Sequence, residues 1–197
     1  MKSSKTELLF FQFTFEFLEI YLPRHMGRSK HTIESIRDTL TNFRKFLLDE
    51  KHISLSLFKF SDCNRDIIFE FLEYLKQNGN IGSTRNHRLA GLKTYLAFAA
   101  IEDIALQSIC LKIAKIPPIK TVKEEKLILS ESQVSLIIAQ APENLIGFRN
   151  KTMLLVLYET GLRVSELVSL KTDNLYLSGD HPYIHVLGKG RKERQIA

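Results

Sequence analysis

Tryptophan is absent from this chain of 197 residues, cysteine occurs twice, and proline and glycine are scarce at 5 and 9. So few turn formers beside 13 phenylalanines suggest a helix-rich protein with a well-filled core. Cys63 and Cys110 lie far apart and outside any Cys-x-x-Cys spacing. That pattern excludes a disulfide framework or a cysteine-built metal site, and it fits a reducing compartment. Both read as small apolar side chains. Long hydrophobic runs are missing too. Leu8 to Leu22 is the most apolar stretch, but Gln12, Glu16 and Glu19 interrupt it, and it falls short of the ~20 apolar residues that span a bilayer. No small-residue cleavage site follows a basic start, so no signal peptide is expected. The chain reads as soluble and cytoplasmic, without a membrane partner. Acid is in deficit as well: 28 Lys and Arg face 22 Asp and Glu, a net charge of +6. Such a balance attracts polyanions, since neutralising phosphates releases condensed counterions.

Hydrophobic spacing divides the chain into two parts. The first segment is ambiguous: Phe11, Phe13, Phe15 and Phe17 alternate as in a strand, whereas Phe10, Phe13, Phe17 and Tyr21 recur at helical spacing. Its length favours a helix, which Pro23 and Gly27 should break. Ser29 is positioned to cap a second helix reaching about Glu50, with Ile33, Ile36, Leu40, Phe43 and Leu47 inward. A third helix is predicted from Arg65 to Gln77, ended by Asn78-Gly79-Asn80. A fourth is predicted from Ser83 to about Ala100, and a short fifth from Ile104 to Ile113. Pro117-Pro118 and the charged stretch Lys120 to Lys126 cannot continue a helix. The expected division is therefore a helical domain over 1–112, a linker over 113–129, and a second domain over 130–197.

In the second domain Ser130 and Gln133 form a capping-box pattern that opens a helix to about Ala141. An apolar helix from Phe148 to Glu159 and a short one from Arg163 to Leu170 should follow. The period then changes, and Asn174–Leu177, Tyr183–Leu187 and Arg194–Ala197 read as short strands. A sheet that stops in its third strand leaves an unpaired edge, so a truncated domain is expected.

Two motifs carry the chemistry. Tyr158-Glu159-Thr160-Gly161-Leu162-Arg163-Val164-Ser165-Glu166-Leu167 resembles the first conserved box of the tyrosine recombinases, the family of phage integrases and the Xer chromosome-dimer resolvases. Gly188-Lys189-Gly190-Arg191-Lys192-Glu193-Arg194 resembles the same family's β-hairpin lysine segment. Upstream, Ser29-Lys30-His31-Thr32-Ile33 and Ser83-Thr84-Arg85-Asn86-His87-Arg88-Leu89 resemble parts of its N-terminal core-binding domain. The likeness spans nearly the whole chain. It implies a mainly α fold with a small β-hairpin sheet, in which a helical, SAM-like core-binding domain precedes an incomplete α+β integrase catalytic domain. It also implies double-stranded DNA as partner, other protomers in a tetramer on DNA, and no metal or other cofactor.

The resemblance assigns roles that the residue types can fill. In this family a tyrosine hydroxyl attacks a DNA phosphodiester, leaving a 3′-phosphotyrosine and a free 5′-hydroxyl. Arg163 would stabilise charge on the phosphate, because a guanidinium donates two parallel hydrogen bonds and keeps its proton. Losing such a donor costs about 3–4 kcal/mol of transition-state stabilisation. Lys189 would protonate the departing 5′-oxygen, a contribution of about a hundredfold or more. Glu166, three residues beyond Arg163, would support it from the same helical side. Lys30, Thr32, Arg85, Arg88, Lys93, Arg191 and Lys192 are the expected DNA contacts, and Arg194 belongs to the same basic run.

The family's second box, a His and an Arg near one another, and its nucleophilic tyrosine should lie after Lys189, where this sequence has neither. Tyr176 and Tyr183 fall in the predicted hairpin and read as sheet-packing residues. His181 and His185 lack a third ligand at suitable spacing, so no metal site is expected. The chain by itself should therefore not cleave DNA. Two alternatives stay open: a non-enzymatic DNA-binding integrase relic that blocks recombination sites, and a helical protein-interaction module with incidental basic charge.

Overall fold

A computed structural model describes residues 8–121, 127–188 and 192–197. The chain forms two compact units that divide after Lys123. Mainly helical with one small antiparallel sheet, it has the fold class expected from the sequence.

The first unit holds helices α1 (Lys30–Lys45), α2 (Arg65–Gln77), α3 (Gly82–Glu102) and α4 (Gln107–Ala114), preceded by a π-helical segment over Glu16–His25. Short-range chemistry sets where they begin. Ser29 and Asn64 cap α1 and α2, their side-chain oxygens accepting the backbone N–H of Thr32 and Ile67. After Lys45 the first of these continues as a π turn over Phe46–Glu50. The aromatic-rich core gathers Phe10, Phe17, Phe43, Phe58, Phe60, Phe71, Tyr95 and Phe98. Many of these rings meet edge-on or tilted, as with Phe10 and Phe43 at 5.3 Å between centroids.

The N-terminal segment corrects two expectations. Residues 8–13 are not helical: Leu9 bridges Lys59, and Phe10 N–H donates to the Phe58 carbonyl at 2.9 Å. Helical spacing prevails after that point, with Phe17 buried and Phe15 exposed. Pro23 does not end the helix but lies inside it. The missing N–H and the ring of proline disturb α-helical bonding, and a π-type stretch accommodates that disturbance. Termination comes instead at Gly27, which adopts φ +56°.

The chain leaving α4 remains on this unit. Ile113 and Ile116 are buried, and Asn86 exchanges two hydrogen bonds with the backbone of Ile119 at 2.7 and 2.9 Å. The sequence expectation counted these residues in the linker.

The second unit contains α5 (Glu131–Ala139), α6 (Leu145–Thr160), α7 (Val164–Ser169) and strands β1 (Leu175–Tyr176), β2 (Tyr183–Leu187) and β3 (Glu193–Ile196), in sheet order β1-β2-β3. Ser130 and Gln133 form the capping box at the start of α5. Little of this unit is buried. Among the described residues α5 buries none, α6 buries Gly147 alone, and Leu145 and Phe148 stand open. Among the described residues no helix is long and apolar enough to cross a membrane.

Candidate functional site

The site is built on the turn between α6 and α7. Gly161 closes α6 in the left-handed conformation, φ +62°, and its N–H donates to the Leu157 carbonyl at 3.0 Å. Thr160 reinforces the turn, its hydroxyl donating to the Val156 carbonyl and accepting from Leu162 N–H. Leu162 is buried and anchors the turn, which leaves Arg163 as the N-cap of α7 with its side chain 66% exposed. An arginine side chain cannot accept a hydrogen bond, so Glu166 does the capping by reaching back to Arg163 N–H at 2.8 Å.

Glu166 is the hub. Its side chain is only 5% exposed, yet both carboxylate oxygens are paired twice. Oε1 accepts from Arg163 Nη1 at 2.8 Å and Arg194 Nη1 at 3.2 Å, while Oε2 accepts from Arg163 N–H at 2.8 Å and Arg194 Nη2 at 2.9 Å. The backbone hydrogen bond from Arg163, followed by that of the Arg194 guanidinium, holds this carboxyl well below the ordinary range, at about 2. One negative charge shared by two guanidiniums leaves a surplus of one positive charge. The Arg163 side chain as a whole is mostly exposed, so an anionic oxygen can approach it from solvent.

The hairpin meets this hub at its backbone. Gly188 N–H donates to the Lys192 carbonyl at 2.8 Å, and a Cβ on Gly188 would lie 3.4 Å from both Glu166 Oε1 and Arg194 Nη1. In register, Arg194 pairs with the buried Val186 and Ile196 with Ile184. Arg194 therefore projects from the same face of the hairpin as Val186. Sequence reasoning grouped it with the basic run expected to contact phosphates. Strand alternation, which separates Arg194 and Ile196 from Glu193 and Gln195, was the available signal that it turns inward. Lys189 and Arg191 lie outside the described residues, and Lys192 is exposed.

Tyr176 and Tyr183 are cross-strand partners, with rings stacked 4.5 Å apart at an angle of 12°. Among the described residues no cluster of three His, Cys, Asp or Glu side chains is arranged to hold a metal. His185 faces Glu193 at 3.5 Å.

On the first unit the expected DNA contacts fall into two groups. Lys30 and Thr32 are exposed at the start of α1, where Lys30 lies 3.9 Å from Glu34 and the Thr32 hydroxyl 3.0 Å from that of Ser29. Arg85, Arg88 and Lys93 differ, because their head groups are tied to the protein. Arg85 Nε donates to the Leu72 carbonyl at 2.8 Å, and Arg88 Nη1 to the Ser35 carbonyl at 3.0 Å. Lys93 Nζ reaches the carbonyls of Ala114 and Ile116 at 3.0 and 2.6 Å, at the end of α4. Helix spacing showed these cations at intervals along α3, but only the packed fold supplies the carbonyls they meet.

Residues 16–103 match the family model of the phage integrase N-terminal SAM-like domain, and residues 128–197 match that of the phage integrase family. Tyrosine recombinase XerD of Oceanobacillus iheyensis is 32% identical over 184 residues, covering 92% of this chain and 57% of that protein. XerC of Staphylococcus carnosus is 30% identical over 168 residues, covering 85% of this chain and 53% of its own length. Across such curated relatives the chain spans 50% to 66% of their length. Among solved structures, the Tn1549 transposon integrase in complex with a circular intermediate DNA has a TM-score of 0.58 at 17% identity, covering 97% of this chain and 61% of that one. The XerH site-specific recombinase bound to palindromic difH substrate has a TM-score of 0.54 at 17% identity, covering 87% and 49%. The chain belongs to the tyrosine recombinase family of phage integrases and Xer recombinases.

Proposed function

We propose that this chain serves site-specific DNA recombination, binding duplex DNA and contributing Arg163 and Lys189 to the strand-transfer site. The observation that carries this reading is the exposed Arg163 side chain, whose guanidinium is held by the buried Glu166. A fixed cation with free donors suits a phosphate that gains charge during displacement. In the reaction a tyrosine oxygen, contributed from outside residues 1–197, bonds to phosphorus. The bond to the 5′-oxygen breaks, and Lys189 supplies the proton that this oxygen takes up. Neither step calls for a metal or a nucleotide. Lys30, Thr32 and Lys192 are the exposed residues best suited to backbone contacts. Arg191 is assigned to the same role from its place in the basic run, and Arg85, Arg88 and Lys93 shape the DNA-facing helices from within. Other protomers join on DNA, as the resemblance implies.

The test is fluorescence anisotropy of the 197-residue chain with labelled duplex DNA over a salt series. Affinity should fall steeply with salt, and Arg163→Ala should weaken binding by about tenfold, the worth of one charge-assisted contact. Absence of salt-sensitive DNA binding would remove the recombination reading and favour a protein-interaction module.

A further inference from the structure

We propose that Arg194 is a positioning residue of this site: through Glu166 it locks the β2–β3 hairpin to the start of α7, so that the cations of both elements address one phosphate as a set. The inference rests on the function proposed above and concerns a residue which that reading leaves without a role.

Three observations converge on it. The Arg194 guanidinium lies against Glu166 with two nitrogens on two oxygens, at 2.9 and 3.2 Å, a bidentate geometry that fixes direction as well as distance. Glu166 is buried and also accepts both the backbone N–H and the side chain of Arg163. Its orientation is thereby shared between Arg163, three positions before it, and Arg194, 28 positions after it. Finally, Gly188, which closes the hairpin opposite Lys192, has just enough room beside this pair: a Cβ there would come within 3.4 Å of Glu166 and Arg194.

The chemistry follows from the charge count. Without Arg194, Glu166 would be a buried carboxylate facing Arg163 alone, and the pair would be neutral. It would then hold Arg163 more tightly to itself and leave less positive potential for a phosphate. With Arg194 in place the carboxylate is divided between two cations. Arg163 keeps its orientation and the cluster keeps one net positive charge. A lysine at 194 would retain charge but could not span both oxygens.

A double-mutant cycle on the 197-residue chain, read by anisotropy on labelled duplex DNA, tests the proposal. Arg163→Ala and Arg194→Ala should each weaken binding by about tenfold, and the double variant should weaken it little further, because the two act as one unit. Losses that multiply to about a hundredfold would mean that Arg194 touches phosphate independently, which overturns the proposal. Wild-type affinity in Arg194→Ala would overturn it too. A second readout does not involve DNA: the Glu166 carboxyl, followed by carbon-detected NMR, should titrate near 2 in the wild type and move toward its ordinary 4.5 in Arg194→Ala. An unmoved Glu166 midpoint would sink the clamp whatever the DNA result. If Arg163→Ala binds DNA as the wild type does, the function proposed above fails, and the Glu166 titration then decides the clamp alone. Arg194→Lys guards against misfolding: it should fold, lose affinity as Arg194→Ala does, and show an intermediate Glu166 midpoint. Full rescue by lysine would overturn the bidentate argument.

Discussion

Tyr95 on α3 donates its phenol to the backbone carbonyl of Phe10, 85 positions earlier in the chain, at 2.5 Å and with both residues fully buried. The bond fastens the non-helical segment 8–13 to α3. Tyr95→Phe keeps the ring but leaves this polar contact unmade, and should cost about 1–3 kcal/mol in urea denaturation. An unchanged unfolding midpoint would show that the carbonyl finds another donor.

Burial pushes the Tyr95 phenol up to about 12, and burial followed by the charge of Asp62 pushes the Cys63 thiol up to about 12. Both groups hold their protons more tightly folded than unfolded. Their contribution is therefore complete below pH 9 and drains as pH rises from the ordinary values of 9.0 and 10.0 toward 12. Alkaline denaturation should begin in that window, and Cys63→Ala should flatten its lower edge. A stability curve level up to pH 12 would contradict the burial argument.

Glu166 titrates in the opposite sense. Its folded value near 2 lies below the ordinary 4.5, so its contribution to the second unit is full above pH 4.5 and is lost as pH falls toward 2. Glu166→Gln should remove that acid-side slope while lowering stability at neutral pH. Near-ultraviolet circular dichroism of Tyr176 and Tyr183, whose rings stack in this unit, provides the signal.

Helices α1 and α3 approach closely at Gly91, where a Cβ would meet the Thr39 hydroxyl at 2.8 Å and its methyl at 3.0 Å. Gly91→Ala gains helix propensity yet should still destabilise, since overpacking costs about 1–3 kcal/mol. Adding Thr39→Ala should recover part of the loss. Thermal melts of the single and double variants measure it, and simple additivity would place the strain elsewhere.

Lys30 and Lys93 were both expected on DNA, but the fold separates them. Lys93→Met gives up two charge-assisted bonds to the end of α4 and should lower stability by about 1–3 kcal/mol. Lys30→Ala, on an exposed side chain, should leave the melting temperature alone and reduce DNA affinity. Equal effects on both measurements would erase the distinction.

Much of this was legible before folding was considered. The caps at Ser29 and Ser130, the span Arg65–Gln77, the change of period after Leu170 and the Gly161-Leu162-Arg163 turn all depend on residues a few positions apart. The Pro23 expectation failed because a local rule, that proline stops helices, gave way to a wider π turn that buries its own Phe17, Leu18 and Leu22.

The sequence alone determined where the capped helices α1, α2 and α5 start, which residues form the hairpin, and that Arg163 stands at the head of a short helix. Those outcomes follow from capping, hydrophobic period and glycine conformation, all of which act over a turn or two. Tertiary structure alone decided which cations are committed and which are free. Arg85, Arg88 and Lys93 lie near carbonyls that other helices bring to them, and Glu166 is divided between Arg163 and a strand residue 28 positions on. A charged head group takes whichever partner the fold brings within about 3 Å, and residue order does not encode that distance.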